Sequence, residues 1–365
     1  MSFLIALLCY SSPVTATLHH LFVGAFSNPY LYAVEFDDQS LTLALLNNIT
    51  TQDSHFWITL DHQKRNLYTT SVNSWSSYAI ETSDSLRHQK TLPLEGSCAG
   101  SQAIFLQSLP RSPYTVYGVT FGGKKSCGNV ISVDHQGSLS RTTQSFDYQA
   151  GSGVHGLAIG SNNDFLYSAD DSGNSLWTHS INSDTGKVEF LDRIAAPTRG
   201  SDPRHITVHP KGKFAYVIFE GTNKLALYII DPKTKTLAYT RSFPLIPPGY
   251  PNSEYWSDEI QLSYSHSYIW ATSRSHRSSR SGYISAFSIS ETGGILSQLF
   301  LTPTTTSGGM ANAVAPSTSS DEFVALTDSE KGFIQIWRFT GCWTEVVATL
   351  DLRDGGCCAN AVWYD

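Results

Sequence analysis

The sequence predicts an all-β protein, a seven-bladed β-propeller closed by strands from both ends of the chain. Three observations lead to this fold class. The composition favours strands and turns, a two-strand pattern recurs about every fifty residues, and the last copy of that pattern is truncated while a matching strand lies near the N-terminus. Together they favour one closed ring over a series of independent domains.

The composition is that of a folded protein with a large apolar core. Of the 365 residues, 41% are hydrophobic and 12% aromatic, with 27 Gly and 15 Pro, which excludes a disordered chain. Ser, Thr, Tyr, Phe and Trp are abundant and Met is rare, a mixture that suits strands and turns. The formal net charge is −7, so nucleic acid is not an expected partner.

The repeat consists of an apolar strand, a polar turn and a second strand rich in aromatic residues. Successive copies start 47 to 55 residues apart, near positions 57, 104, 155, 205, 260, 311 and 360. A steady period of this size is typical of a propeller or solenoid, and each unit is long enough for about four short strands. Seven starts therefore predict seven blades.

Closure of the ring is predicted from the two chain ends. The last copy, Ala359–Trp363, ends before its second strand, and residues 18–26 supply a strand of the right character. Pairing the two removes exposed sheet edges that would promote aggregation. We expect one domain over residues 18–365, preceded by an extension over residues 1–17.

The extension has features of a secretory leader. An apolar run, Phe3–Tyr10, precedes a small-residue site after Ala16, but no Lys or Arg comes before it. A cleaved signal peptide, with secretion, and a simple unstructured extension both stay open. The run is shorter than the roughly 20 residues of a membrane span, so no membrane association is expected.

The six cysteines do not predict a metal site. No Cys-x-x-Cys spacing occurs, which argues against a zinc knuckle, and we expect no metal. Removal of the leader would leave five cysteines, an odd number, so the disulfide pairing stays open. The sequence is compatible with a homo-oligomer without specifying one.

Candidate site residues follow from the repeat. The second strands of the copies can be aligned on one large side chain, for example Tyr167 or Tyr216. Four residues after this position, four consecutive copies have a charged residue, whereas the two preceding copies have Val72 and Phe121. The charged residues are Asp171, Glu220, Arg274 and Asp328. Because strand ends of successive blades meet at the channel mouth, and because His155 and Arg204-His205 start inner strands there, we predict one pocket that contains His155, Arg204, Glu220 and Arg274.

Ordinary structural roles also fit parts of this region. Asp171 and Asp328 fit turn residues, because Asp commonly caps turns. Glu220 and Arg274 end apolar strands, where a core residue would serve as well. The segment from Gly122 to Ser126 lacks the spacing and the helix of a phosphate loop, and no Gly-x-Ser-x-Gly nucleophile motif is present.

Particular motifs resemble the fungal 3-carboxy-cis,cis-muconate lactonizing enzymes, or carboxy-cis,cis-muconate cyclases, from about residue 18 to the C-terminus. The motifs are Trp75-Ser-Ser, Gly153-Val-His-Gly156, Leu166-Tyr-Ser-Ala-Asp170, Leu176-Trp-Thr-His179, Asp202-Pro-Arg204, Ser242-Phe-Pro-Leu-Ile-Pro-Pro-Gly249 and Ser307-Gly-Gly309. The resemblance implies a seven-bladed propeller of the β-ketoadipate pathway that forms a γ-lactone from a small polycarboxylate without a cofactor, inside the cell.

The resemblance also implies roles for the predicted pocket. Arg204 and Arg274 would bind substrate carboxylates, and His155 or Glu220 would supply a proton. The sequence departs from the family pattern where a Lys would precede Trp-Ser-Ser, here Asn73 and Ser74, and where a His would follow Ser-Gly-Gly, here Met310. Two alternatives stay open: a sugar-lactone hydrolase of the 6-phosphogluconolactonase type, and a non-catalytic secreted propeller.

Overall fold

The computed structural model describes residues 17–122, 126–352 and 356–364, and within these ranges the chain forms seven four-stranded antiparallel sheets. The innermost strand of each sheet contacts the innermost strands of its two neighbours, and this chain of contacts returns to its start. The sheets are therefore the blades of a closed ring, which confirms the predicted seven-bladed propeller. The predicted leader, residues 1–16, lies outside the described residues.

The twenty-eight strands of the described ranges follow one another in blade order. The first twelve are β1 (Leu18–Ala25), β2 (Tyr30–Asp37), β3 (Thr42–Thr50), β4 (Ile58–Leu60), β5 (Asn66–Thr70), β6 (Ser74–Thr82), β7 (Ser85–Pro93), β8 (Ala103–Ser108), β9 (Val116–Thr120), β10 (Cys127–Val133), β11 (Leu139–Asp147) and β12 (Val154–Ile159). The next are β13 (Phe165–Asp170), β14 (Ser175–Ile181), β15 (Val188–Ala195), β16 (Pro203–Val208), β17 (Phe214–Phe219), β18 (Lys224–Ile230), β19 (Leu237–Pro244) and β20 (Tyr255–Leu262). The last are β21 (Tyr268–Ser275), β22 (Tyr283–Ile289), β23 (Ile295–Pro303), β24 (Val314–Pro316), β25 (Phe323–Asp328), β26 (Phe333–Phe339), β27 (Thr344–Asp351) and β28 (Cys357–Trp363).

Helical structure in the described ranges is limited to two short 3₁₀ helices, Gly96–Cys98 and Asn252–Glu254. No helix there has the length and apolar character needed to cross a membrane. The regular elements that position side chains are therefore strands.

The ring closes as the truncated repeat predicts. Strand β28 is the innermost strand of the blade that β1, β2 and β3 complete, and it pairs antiparallel with β1. The register places Leu21 opposite Trp363 and Phe22 opposite Val362. Both sheet edges that the chain ends would otherwise leave open are thus satisfied by backbone hydrogen bonds.

The core lies between neighbouring blades. Second strands such as β5 and β17 are buried along their whole length, and large aromatic side chains such as Trp75, Trp270 and Tyr216 are fully buried within the blades. Outer strands such as β3 and β15 are largely exposed to solvent. Burial of this much apolar surface fixes the blade packing, and so fixes where the inner strands begin and end.

Disulfides add to this packing. The structure pairs Cys98 with Cys127, which are 29 residues apart in sequence with their Cα atoms 5.5 Å apart, and pairs the neighbouring Cys357 and Cys358. Among the described residues, Cys342 is exposed and unpaired. The pairing that the sequence left open is thus defined for these five cysteines.

Candidate active site

Beta-bulges at the start of three consecutive inner strands direct charged side chains into the channel. In β12 the strand pairing skips His155, in β16 it skips Arg204, and in β20 two residues, Asp258 and Glu259, span a single residue of the partner strand. A bulge adds one residue to one strand and turns its side chain away from the regular alternation. The irregular pairing therefore explains why polar groups from three blades meet here.

Arg204 is the centre of the charged cluster. One terminal nitrogen, Nη1, donates to Oε2 of Glu220 at 2.8 Å, and the other, Nη2, lies 2.9 Å from Oδ1 of Asp258. Glu220 directly follows β17, the strand next to β16, so blade geometry brings the pair together. The guanidinium thus bridges carboxylates from two blades.

Arg274, near the end of β21, lies on the same two carboxylates. Its Nη2 is 3.6 Å from Oε2 of Glu220, and its Nε is 3.7 Å from Oδ1 of Asp258. It also donates to the backbone carbonyl of Met310, and its guanidinium carbon lies 5.0 Å from the centre of the Trp256 ring. Two guanidinium groups are therefore held side by side by shared carboxylates.

A histidine pair lies beside the arginines. Nδ1 of His155 is 3.0 Å from Nε2 of His205, and Nδ1 of His205 is 2.5 Å from Oε2 of Glu259. Gly156 permits this approach, because a Cβ there would lie only 2.7 Å from the carbonyl oxygen of Arg204. His155, His205 and Glu259 are all buried, so their mutual contacts are shielded from bulk water.

Burial and neighbouring charges change the acid–base behaviour of the cluster. Burial raises the pKa of Asp258, but the Arg274 and Arg204 guanidinium groups outweigh it and hold that pKa below its usual value. Burial lowers the pKa of His155 well below its usual value, and the positive charges of Arg204 and Arg274 lower it further. In the protein without substrate, His155 is therefore neutral at neutral pH.

Asp171 also belongs to this cluster. Burial and the negative charge of Glu220 raise its pKa to about 7, against the opposing effect of Arg204. Its interpretation as an ordinary turn residue is therefore incomplete. Asp328, by contrast, accepts the backbone N–H of Lys331 at 2.8 Å and caps a turn.

Less polar groups surround the charged side chains. The Phe121 ring packs edge-on against His155 with its centre 5.1 Å away, and Trp256 is 40% exposed beside Arg274. Met310, which stands where the family pattern has His, is 65% exposed and contributes its carbonyl rather than its side chain. A flat, partly apolar ligand could lie against Phe121 and Trp256 while its charged ends reach the arginines.

The structure brings together all four residues that the repeat placed in one pocket. They are His155, Arg204, Glu220 and Arg274, and they lie on three neighbouring blades. Their positions and charges are thereby defined, whereas their roles in a reaction stay a proposal.

Sequence reasoning missed Asp258 and Glu259. Both are only 2% exposed, although they stand next to each other in a strand, where alternation would normally expose one of them. Two adjacent acids directly before the apolar Ile260 were the available signal. The burial of both side chains depends on the bulge in β20, and no short motif in the sequence indicates that bulge.

A separate cavity of about 530 Å³ lies at the opposite ends of the inner strands, lined in part by Gly160, Ser161 and Pro210. His205 and Glu259 form part of its wall, so this pair separates the cavity from the arginine cluster. Within the described ranges, no three His, Cys, Asp or Glu side chains are arranged to hold a metal ion.

The seven-bladed fold is that of a lactonase-type propeller. The family model described as "Lactonase, 7-bladed beta-propeller" matches residues 20–357, and the chain belongs to this family. It is 37% identical to a carboxy-cis,cis-muconate cyclase of Neurospora crassa over 95% of this chain and 100% of that protein. The resemblance that the sequence motifs indicate is thereby confirmed.

More distant relatives agree on the fold. A muconate cycloisomerase 1 of Cutaneotrichosporon cutaneum is 24% identical over 90% of this chain and 92% of that protein. Among solved structures, the periplasmic gluconolactonase of Pseudomonas aeruginosa superposes with a TM-score of 0.80 at 15% identity, covering 95% of this chain and 99% of that one.

Proposed function

We propose that this protein is a cofactor-independent cycloisomerase that closes 3-carboxy-cis,cis-muconate, or a close relative, to a γ-lactone. The observation that carries the proposal is the pair of largely buried guanidinium groups, Arg204 and Arg274, held side by side next to His155. The Neurospora relative, named as a carboxy-cis,cis-muconate cyclase, supports the substrate class. The substrate would be a small polycarboxylate.

The arginine pair suits the charge of such a substrate. With carboxylic acids of ordinary pKa near 4, a tricarboxylate carries three negative charges at neutral pH. Guanidinium groups bind carboxylates through two parallel N–H donors, which fixes orientation as well as charge. Arg204 and Arg274 would thus hold the substrate so that one carboxylate lies against its own double bond, and holding reacting groups in contact is a large part of catalysis.

The reaction itself requires one proton. A carboxylate oxygen forms a bond to one carbon of the double bond, the π electron pair moves to the adjacent carbon, and that carbon takes up a proton. The trianion plus one proton gives a lactone dianion, so atoms and charges balance. Positioned acids in enzymes typically accelerate such a transfer by about 10²- to 10⁴-fold.

His155 is the better proton donor of the two candidates. Oε2 of Glu220 accepts a hydrogen bond from Arg204 at 2.8 Å and lies 3.6 Å from Nη2 of Arg274, so this oxygen is engaged by both cations. We therefore assign Glu220 to holding the guanidinium groups and His155 to proton transfer. The packing of Phe121 against His155 would limit water beside the reacting carbon.

The test is an ultraviolet assay of muconate consumption by the purified protein, with lactone identified by mass spectrometry and NMR. We expect lactone from 3-carboxy-cis,cis-muconate, a lower kcat/KM with cis,cis-muconate, which lacks the third carboxylate, and no hydrolysis of glucono-δ-lactone. A folded protein that leaves both muconates untouched would contradict the proposal. Hydrolysis of the gluconolactone instead would favour the sugar-lactone hydrolase.

A further inference from the structure

A chain of close polar contacts runs from Glu259 through His205 to His155 and ends in the proposed active site. Glu259 is fixed by two donors to its other oxygen, Oε1: the backbone N–H of Ile260 at 3.0 Å and Nε2 of Gln261 at 3.1 Å. Its Oε2 is then free to face Nδ1 of His205 at 2.5 Å. At this distance an ionised carboxylate oxygen attracts an N–H group and repels a bare ring nitrogen, so the tautomer of His205 with its proton on Nδ1 fits the contact.

The position of that proton determines the state of the next ring. Neutral His205 with its proton on Nδ1 has a bare Nε2, which accepts the Nδ1 proton of His155 at 3.0 Å. Neutral His155 then has a bare Nε2, and no side chain in the described part of the chain hydrogen-bonds to it. In this state His155 can accept a proton through Nε2 but cannot donate one there.

The surrounding charges decide which ring holds an added proton. His155 faces Arg204 on β16 and Arg274 on β21, whose positive charges together with burial lower the pKa of His155. His205 faces Glu259 and, further away, Asp258, both on β20, and its ring also contacts the rings of His155, Trp57 and Phe105. The negative charges beside the histidine pair therefore lie on the His205 side, and the positive charges lie on the His155 side.

We propose that His205 and Glu259 are positioning residues that store the catalytic proton: the charge rests on His205 beside Glu259, and His155 delivers it to the substrate. This inference rests on the proposed function. In the charged state His205 is protonated on both nitrogens and donates from Nε2 to Nδ1 of His155. His155 is then neutral, with its proton on Nε2, and is ready to donate.

The transfer is balanced at each atom. Nε2 of His155 gives its proton to the substrate carbon, and Nδ1 of His155 takes the Nε2 proton of His205. Both rings end neutral, and Glu259 remains ionised throughout. After the lactone leaves, a proton from water at the channel mouth returns to Nε2 of His155, whose Nδ1 proton moves back to His205. No ring has to turn over during the cycle.

The kinetic test compares Glu259→Gln with the wild type over a range of pH. Gln removes the charge that stabilises protonated His205, so the loss of kcat with rising pH should begin at least one pH unit lower. At pH values above the transitions of both proteins, kcat of Glu259→Gln should therefore be about tenfold or more below that of the wild type, because each pH unit is a factor of ten in the protonated fraction. At low pH the variant should recover the wild-type kcat. A merely structural defect would lower kcat at every pH.

Two further variants complete the kinetic set. His205→Gln can accept the Nδ1 proton of His155 through its amide oxygen but cannot hold the charge, so its kcat should fall below that of Glu259→Gln across the whole range. Glu322→Gln, which removes a surface carboxylate paired with Arg338, should leave the profile unchanged. Because burial raises the pKa of Asp171 to about 7, the same comparison in an Asp171→Asn background identifies the contribution of Asp171 to the profile.

Imidazole ¹⁵N NMR of the ligand-free protein, with selectively labelled histidine, tests the same chain without turnover. On lowering the pH, His205 should become doubly protonated while His155 stays neutral, and Glu259→Gln should abolish this order. If the wild type makes no lactone but His205 is protonated before His155, the proposed function is refuted and the proton store is not. An unchanged pH profile in Glu259→Gln, or His155 protonating before His205, would overturn the proton store.

Discussion

Replacement of Arg274 by alanine tests the proposed binding of substrate carboxylate most directly. The side chain is buried, yet its guanidinium lies 3.6 and 3.7 Å from the two carboxylates that Arg204 contacts at 2.8 and 2.9 Å. Arg274 is therefore the less tightly engaged cation of the pair. Its N–H groups are the more available ones for an incoming substrate.

The size of the effect follows from the bonds that would be lost. A carboxylate held by two N–H donors of a guanidinium makes two charge-assisted hydrogen bonds of about 1.5–3 kcal/mol each. The loss of both raises the transition-state free energy by about 3–6 kcal/mol, and each 1.36 kcal/mol corresponds to a factor of ten. We expect kcat/KM of Arg274→Ala to fall by about 10²- to 10⁴-fold.

The fold should tolerate this change. In the variant, Asp258 still contacts the guanidinium of Arg204 and still accepts a hydrogen bond from the backbone N–H of Asn312 at 2.8 Å. It is therefore not left as an unpaired buried charge. The structural losses are the hydrogen bond to the Met310 carbonyl and the contact with the Trp256 ring, about 1 kcal/mol each, together with part of the positive charge that keeps Asp258 ionised. Melting temperature and circular dichroism should therefore show a folded protein that melts a few degrees lower.

The assay is steady-state muconate consumption by both proteins, with Arg277→Ala as the matched control. Arg277 lies three residues further along the chain, is largely exposed and pairs with Glu254, so its removal should leave kcat/KM within about threefold. A folded Arg274→Ala protein that retains more than a tenth of the wild-type kcat/KM would refute the reasoning. Equal losses in both variants would point to a general disturbance of the channel mouth.

Three further predictions concern two other residues of the charged cluster and one disulfide. Glu220→Gln removes a charge that competes with substrate for both guanidinium groups, so KM should fall while kcat drops less than tenfold; a drop of 10²-fold or more would instead identify Glu220 as the proton donor. Since burial raises the pKa of Asp171 to about 7, the folded state binds an extra proton between pH 4 and 7, and stability is lost as pH rises through that window. The melting temperature of Asp171→Asn should therefore exceed that of the wild type at pH 8 by more than at pH 5, and an equal difference at both would contradict this. Cys98→Ser opens a disulfide across 29 residues and should cost about 3–4 kcal/mol in denaturant unfolding, whereas Cys342→Ser, at an exposed thiol, should cost almost nothing.

The sequence was sufficient for the fold because a propeller repeats one pattern of burial. Apolar inner and second strands recur at a steady spacing, and each copy can bury its faces only against its neighbours. The truncated copy at Ala359–Trp363 had a single complementary strand available, and β28 does pair with β1. Counting within the repeat also placed Glu220 and Arg274 on one side of the ring, because equivalent positions in successive blades lie at the same level along the channel axis.

The sequence was not sufficient for the balance of charge in the cluster. Alternation along a strand cannot bury both Asp258 and Glu259, and the bulge that does so arises from the pairing of β20 with β21. The relation of Asp171 to Glu220 likewise depends on the contact between two blades. Long-range contacts of this kind leave no local pattern, so the partners of the arginines had to come from the structure.

The buried carboxylates explain how a net-negative protein could bind a polyanion at this place. Two guanidinium groups buried side by side would repel each other, and Glu220 and Asp258 offset that repulsion in the free protein. A trianion entering the same space must overcome the repulsion of these carboxylates. Protonation of a nearby acid lowers that cost, and Asp171, with a pKa raised to about 7, is the group best placed to take up a proton at neutral pH. Substrate binding should therefore draw a proton from solution, and calorimetry in buffers of different ionisation enthalpy would show enthalpies that depend on the buffer in wild type and less so in Asp171→Asn.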